Sequence, residues 1–206
     1  MNILFEDHAI IVCVKPAGVS SQAAQPGEET MISLLQQHTG GTVYPVHRLD
    51  KAVGGVMVYA KTKAAAASLS KQVAERTMKK EYRALVHGVM DPQDGTMEDL
   101  LFKDSRTNKV FVVKKERKGV KRARLFYETL EVRGDCTLVK VVLDTGRTHQ
   151  IRVQFASRRH PLVGDARYGA RDGEKQLHLW SYRLTFCHPE TGETLSLDAS
   201  CPYFSF

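Results

Sequence analysis

Four runs in the second half of the chain, residues 81–88, 109–114, 122–132 and 137–143, are rich in Val, Leu, Phe and Tyr. They constrain the fold more than any other feature. Branched and aromatic side chains in runs of this length suit a half-buried pleated surface. Two more short strands are expected within residues 3–14, ended by Lys15-Pro16-Ala17-Gly18, where Pro and Gly mark an exit from the sheet. Residues 53–60 (VGGVMVYA) form a glycine-containing strand candidate, and strand signals return near 177–186 and 194–198. Helices are fewer. They are expected at 31–38, stopped by Gly40-Gly41, at 63–76, where Leu69 and Val73 lie four apart, and at 148–158, where Ile151 and Phe155 do the same. The small polar stretch 19–29 reads as a loop. Strands and helices without a regular βαβ alternation predict an α+β fold with a largely antiparallel sheet. No Pro/Gly/Ser-rich linker interrupts the pattern, so residues 1–206 read as a single domain. A chain of that length buries a core without disulfides or a structural metal.

Composition narrows the class. The four cysteines, Cys13, Cys136, Cys187 and Cys201, are far apart, and the eight histidines are scattered. Neither a zinc site nor a disulfide framework is signalled, and the cysteines read as small buried hydrophobes. No metal is expected. No run is apolar for long enough to span a bilayer, and the N-terminal MNILFED lacks the basic and apolar regions of a signal peptide. A cytoplasmic protein with no membrane partner is the expectation, with a monomer as the default. The net charge of +7 is local: segment 114–124 (KKERKGVKRAR) holds seven Lys/Arg and one Glu, leaving 23 basic and 22 acidic residues elsewhere. Such a cluster fits a phosphate backbone, and equally a solvated loop or strand face.

Three segments place ionisable groups beside structured runs. In the first, His47-Arg48-Leu49-Asp50, a carboxylate sits where a loop meets the glycine-containing strand. Arg48 is a planar cation suited to a phosphate or to stacking on a base, although a local Arg–Asp surface pair is the commoner reason for such spacing. The second is KKEYRALV at 79–86, whose alternation puts Tyr82, Ala84 and Val86 on one face. A core tyrosine with its hydroxyl at the rim explains Tyr82 as well as base stacking does. The third is GRTHQIRV at 146–153. With Thr148 as N-cap, His149 and Arg152 fall on one helix face near an N-terminus that attracts anions. A basic surface helix is the plain alternative.

Taken in order, these segments resemble the RluA-type pseudouridine synthases, which modify ribosomal and transfer RNA. HRLD at 47–50 followed by GGVMVYAKT at 54–62 is similar to their catalytic motif. KKEYRALVHG at 79–88 is similar to their tyrosine motif, and GRTHQIRVQFASRRHPLVGDARYG at 146–169 to their third motif. LHLWSYRLTFCHPETGE at 177–193 resembles their closing strands, and KPAG at 15–18 matches as well. The resemblance implies the pseudouridine synthase fold, a mixed, largely antiparallel sheet with a central catalytic cleft flanked by helices. It implies a cofactor-free isomerase acting on rRNA or tRNA. In that reading Asp50 attacks C1′ or takes a proton from C2′, Arg152 pairs with it, and Tyr82 stacks on the uracil. Arg48 fills the space of the flipped base. His47, Arg147 and His149 are expected to bind RNA beside them, and Lys114, Lys115, Arg117, Lys118, Lys121 and Arg122 to bind its backbone.

Two departures stand out. The family commonly has Thr-Ser-Gly or similar after the Asp, where this chain has Ala52-Val53-Gly54-Gly55, which removes two hydroxyls that could position the loop. Many relatives also carry a small N-terminal RNA-binding domain, whereas here the catalytic region begins almost at Met1, so RNA selection is expected from the catalytic domain itself. A catalytically inactive RNA-binding protein that keeps the fold is the first alternative. A carboxylate hydrolase is the second, and it needs a second acid across the bond. Asp165 is a candidate for that acid, but reads better as the brace of a turn before Tyr168. Trp180, the sole Trp, is expected in the core.

Overall fold

A computed structural model describes residues 1–22 and 27–203. The elements run β1 (Asn2–Glu6), β2 (Ile10–Lys15), α1 (Met31–Thr39), β3 (Tyr44–Pro45), β4 (Gly54–Ala60), α2 (Lys63–Ala74), β5 (Lys79–His87), β6 (Asp94–Asp104), β7 (Lys109–Val113), β8 (Val120–Arg133), β9 (Cys136–Leu143), α3 (Gln150–Ser157), β10 (Leu179–Cys187) and β11 (Thr194–Asp198). A 3-10 turn at Ala166–Tyr168 lies between α3 and β10. The mixed architecture, with few helices and mostly antiparallel pairing, is the expected class. Residues 23–26 of the expected 19–29 loop lie outside the described residues.

The chain divides into two compact units, Met1–Lys80 with Trp180–Phe206, and Glu81–Leu179. In the first unit β2 pairs antiparallel with β1 and β4, β3 also joins β4, and β10 pairs with β11. One contact is parallel: Trp180 and Ser181 of β10 lie beside Gly54 and Gly55 of β4. All seven residues of β4 are buried, because α2 covers one face and α1 contributes Met31 and Leu35 to the core. Ile10, Val12, Val56, Val58, Leu184 and Phe186 pack with Ala65 and Leu69 of α2. Each such side chain contributes roughly 1.5–3 kcal/mol by leaving water. Both helices begin on threonine caps, Thr30 and Thr62, and α1 stops at Gly40 in the left-handed region. The expected core role of Trp180 holds: its ring is buried and its Nε1–H donates to the Ala199 carbonyl at 2.8 Å.

The second unit is an antiparallel sheet in the order β5-β9-β8-β6-β7. One face is buried, carrying Tyr82, Ala84, Leu101, Val110, Ala123, Leu125 and Tyr127, and α3 lies against it through Val153 and Phe155. β6 is the element that sequence pattern misses. Its sequence DGTMEDLLFKD gives only Met97 and Leu101 to the core, and its acidic outward residues read as loop. The cysteines correct an expectation. Only Cys13 is buried; Cys136 and Cys201 are half-buried and Cys187 is exposed.

Candidate functional site

Asp50, Arg48 and His47 belong to the first unit, in the loop between β3 and β4. The loop alternates: Arg48 is exposed, Leu49 is buried and Asp50 is half-buried. It is clamped from beneath. Ser21 Oγ accepts the Leu49 N–H at 3.1 Å and donates to the Leu49 carbonyl at 2.9 Å, while Tyr59 donates its hydroxyl proton to the Ser21 carbonyl. The Val53 N–H closes the turn on the Asp50 carbonyl at 2.9 Å. Lys15 has no exposed surface, and its ammonium donates to the carbonyls of Pro16, Val19 and Lys51 at 2.9, 2.6 and 3.2 Å. Burial pulls its pKa down to about 8, with the Asp50 charge opposing the fall. One buried cation thus ties the KPAG turn to the Asp50 loop. The Pro-Gly turn and the KPAG match are legible in the sequence, whereas the ties made by Lys15 and Ser21 are not.

The His47 ring faces inward. Its Nε2 accepts the Val58 N–H at 3.1 Å, and burial, helped by the charge of Lys80, lowers its pKa to about 3. The ring is neutral and fastens the loop to β4. The glycines behind it have a packing reason. A Cβ on Gly54 would run into the Trp180 ring, and one on Gly55, at φ +121, into the Ser181 backbone. The loop that carries Ala52 and Val53 is held by Ser21, Lys15 and His47.

Tyr82, Arg147, His149 and Arg152 belong to the second unit. Tyr82 is buried on β5, opposite Val141. The helix α3 begins at Gln150, two residues later than expected, and Thr148 is not its cap. His149 occupies that position at φ +51, with no side-chain cap bond. Gln150 explains the shift. Its buried amide accepts the Arg147 N–H at 3.0 Å and the Thr145 hydroxyl at 2.8 Å and donates to the Arg124 carbonyl at 3.0 Å, so the turn is stitched to β8. Arg147 adds a bond from Nε to the Arg122 carbonyl at 3.0 Å.

Arg152 projects from α3 into a preformed cradle. Its Nε and Nη2 each meet one oxygen of Asp165 at 2.7 Å, and its guanidinium lies 5.1 Å from the centre of the Tyr168 ring. Tyr168 in turn accepts the Val110 N–H at 3.0 Å and lies 2.8 Å from His149 Nδ1. His149 and Arg152 are thus linked through Tyr168 rather than by helix spacing. Asp165 is fully committed: its carboxylate holds Arg152, and its backbone carbonyl accepts from Tyr168 and Ala170. It braces the turn as expected and is spent on Arg152, which removes the second acid a hydrolase would need. Lys114, Lys115, Arg117, Lys118, Lys121 and Arg122 all lie exposed on the β7–β8 loop and the start of β8.

Comparison with known proteins follows the same residues. A family model described as RNA pseudouridylate synthase matches residues 9–157. A ribosomal large subunit pseudouridine synthase D of Neisseria meningitidis is 39% identical over 98% of this chain, which spans 58% of that relative's length. An uncharacterized RNA pseudouridine synthase of Aquifex aeolicus is 36% identical over 98% of this chain and 70% of its own length. Among solved structures, human RNA pseudouridylate synthase domain containing 1 superposes with a TM-score of 0.82 at 25% identity, covering 98% of this chain and 84% of that one. Human RNA pseudouridylate synthase domain containing 4 shares the fold, with a TM-score of 0.80 at 23% identity, covering 98% and 89%.

Proposed function

The chain belongs to the RNA pseudouridylate synthase family, and from that premise we propose that it converts uridine in RNA, ribosomal RNA first, to pseudouridine without a cofactor. The N1–C1′ bond breaks, the uracil turns, C5 joins C1′, and the C5 proton is lost while N1 gains one. Product and substrate are isomers, so no oxidant or co-substrate enters. Asp50 acts at the sugar, either by attack on C1′ or by taking the C2′ proton. Arg152 is the cation that pairs with it, and Tyr82 stacks on the uracil and assists removal of the C5 proton. The target base leaves the stack before it reacts, and Arg48 takes its place. His149, Arg147, Lys114, Lys115, Arg117, Lys118, Lys121 and Arg122 contact the RNA.

The observation that carries this reading is the Asp50 loop. A half-exposed carboxylate stands on a backbone fixed by buried Lys15, Ser21 and His47. Such fixing is what a reacting group held in a near-attack geometry requires. The test is tritium release from RNA carrying 5-³H-uridine, drawn from cells lacking this gene, with wild type beside Asp50→Asn. Release by wild type alone is expected. Release by both would remove Asp50 from the chemistry. Release by neither, with RNA binding intact, would favour an inactive RNA-binding protein.

A further inference from the structure

The sheet face of the second unit that points away from Tyr82 and α3 carries a concave site of its own. On it, register sets Phe102 beside Val120 and Leu100 beside Arg122, while Leu101 and Ala123 face the core and Lys121, the partner of Leu101, falls on that other face. A cavity of about 380 Å3 opens there, lined by Leu100, Glu116, Arg117, Val120 and Arg122. Its size falls in the range of roughly 300–1,000 Å3 typical of small-molecule sites. The Arg117 guanidinium lies 4.4 Å from the centre of the Phe102 ring, so a planar cation is already stacked at the edge of the cavity. Leu100 and Val120 supply apolar wall. Glu116 supplies a carboxylate whose Oε1 accepts from Arg122 Nε and Nη2 at 3.0 and 2.8 Å. Both side chains are well exposed, 62% and 84%, so water screens that pair and either group is available to exchange. Lys114, Lys115 and Lys118, exposed on the same β7–β8 loop as Glu116 and Arg117, add positive charge to it.

Apolar wall, a stacked guanidinium and one carboxylate select among planar rings. A carboxylate accepts two parallel N–H bonds, and guanine alone of the four bases offers two adjacent donors, N1–H and the N2 amine, on its pairing edge. Adenine and cytosine present a donor beside an acceptor, and uracil a single donor between acceptors. We infer that this cavity binds an unpaired guanine of the RNA, stacked on Arg117 and held by Glu116, with flanking phosphates on the lysines. The site lies on the opposite face of the sheet from Tyr82 and reads a base other than the target. The inference rests on the RNA reading above only for where the guanine comes from.

The experiment is fluorescence anisotropy on the full chain with single-stranded RNA heptamers that carry one central guanosine, inosine or adenosine in the same background. Wild type is expected to bind the guanosine heptamer about tenfold tighter than the other two, since inosine lacks the N2 amine and adenosine the donor pair. Glu116→Gln, at an exposed position where folding is not at issue, is expected to abolish the preference and leave adenosine-heptamer affinity unchanged. It should also retain turnover at saturating RNA in the tritium assay while raising KM. Equal affinity of wild type for all three heptamers, or a preference that survives Glu116→Gln, overturns the inference. The two readings fail separately: absence of tritium release with the guanosine preference intact sinks the isomerase alone.

Discussion

The guanidinium of Arg152 and the carboxylate of Asp165 meet edge to edge, two N–H···O bonds of 2.7 Å each, with Asp165 completely buried and Arg152 nearly so. Removing the carboxylate takes two charge-assisted bonds at once from a nearly buried guanidinium. Asp165→Asn is therefore expected to lower unfolding free energy by about 3 kcal/mol. Arg152→Lys loses the two-pronged fit and is expected to be similarly damaging although it keeps the charge. Urea denaturation measures both. A loss from Asp165→Asn within the few tenths typical of a surface substitution would show that the pair is not structural.

His47 gives the protein an acid weakness. Its pKa lies at about 3 in the fold against 6.5 for the unperturbed side chain. Below pH 6.5 the unfolded chain takes up a proton that the folded chain refuses, so stability falls as pH drops from 6.5 toward 3. His47→Gln keeps an acceptor for the Val58 N–H and cannot titrate. Wild type is expected to lose about 1–2 kcal/mol more than this variant between pH 7 and pH 5. Parallel pH profiles for the two proteins would contradict the assignment.

Lys15 acts at the other end of the scale. Its pKa falls from 10.5 to about 8 on burial. The unfolded chain then holds more protons between pH 8 and 10.5, and the Lys15 contribution to stability rises with pH across that window. Lys15→Met removes the rise. It also removes the charged donor to the Pro16 and Val19 carbonyls, about 1.5–3 kcal/mol for each bond, while the Lys51 carbonyl keeps the Gly18 N–H at 2.8 Å. The expected result is a variant less stable at pH 7 whose deficit widens toward pH 10. A deficit independent of pH in that range would rule out the titration.

Gly55→Ala should unfasten the strand behind the Asp50 loop. The new methyl group would meet the Ser181 backbone and sit at φ +121, a region essentially reserved for glycine. A loss of about 3 kcal/mol or more is expected. Gly146→Ala, with open space around the added carbon, serves as the control and is expected to change the melting temperature little. Equal melting of both variants would deny the close β4–β10 approach its role.

Arg48→Ala tests base flipping. The side chain is exposed while its neighbour Leu49 is buried, so the substitution spares the core. Turnover is expected to fall more on folded RNA than on an unstructured strand, because only the folded target leaves a stacked gap to fill. Equal losses on the two substrates would dismiss that role for Arg48.

Most of the fold was legible along the chain because its signals are local. Pro-Gly turns, the Gly40 stop and the alternation of Tyr82, Ala84 and Val86 act within a few residues, and the structure follows them. β6 escaped because its one apolar run, Leu100-Leu101-Phe102, is short and flanked by acids that read as loop. The ordered motifs determined the family, since each marks a residue type that a given chemistry needs. Tertiary structure alone decided how those residues are held. That Asp165 holds Arg152 from 13 positions away, that Lys15 reaches the carbonyl of Lys51 from 36 away, and that Gln150 rather than Thr148 sets the start of α3 are not encoded in spacing. Each is the response of a buried polar group that must find a partner wherever folding brings one, and no local rule says which that will be.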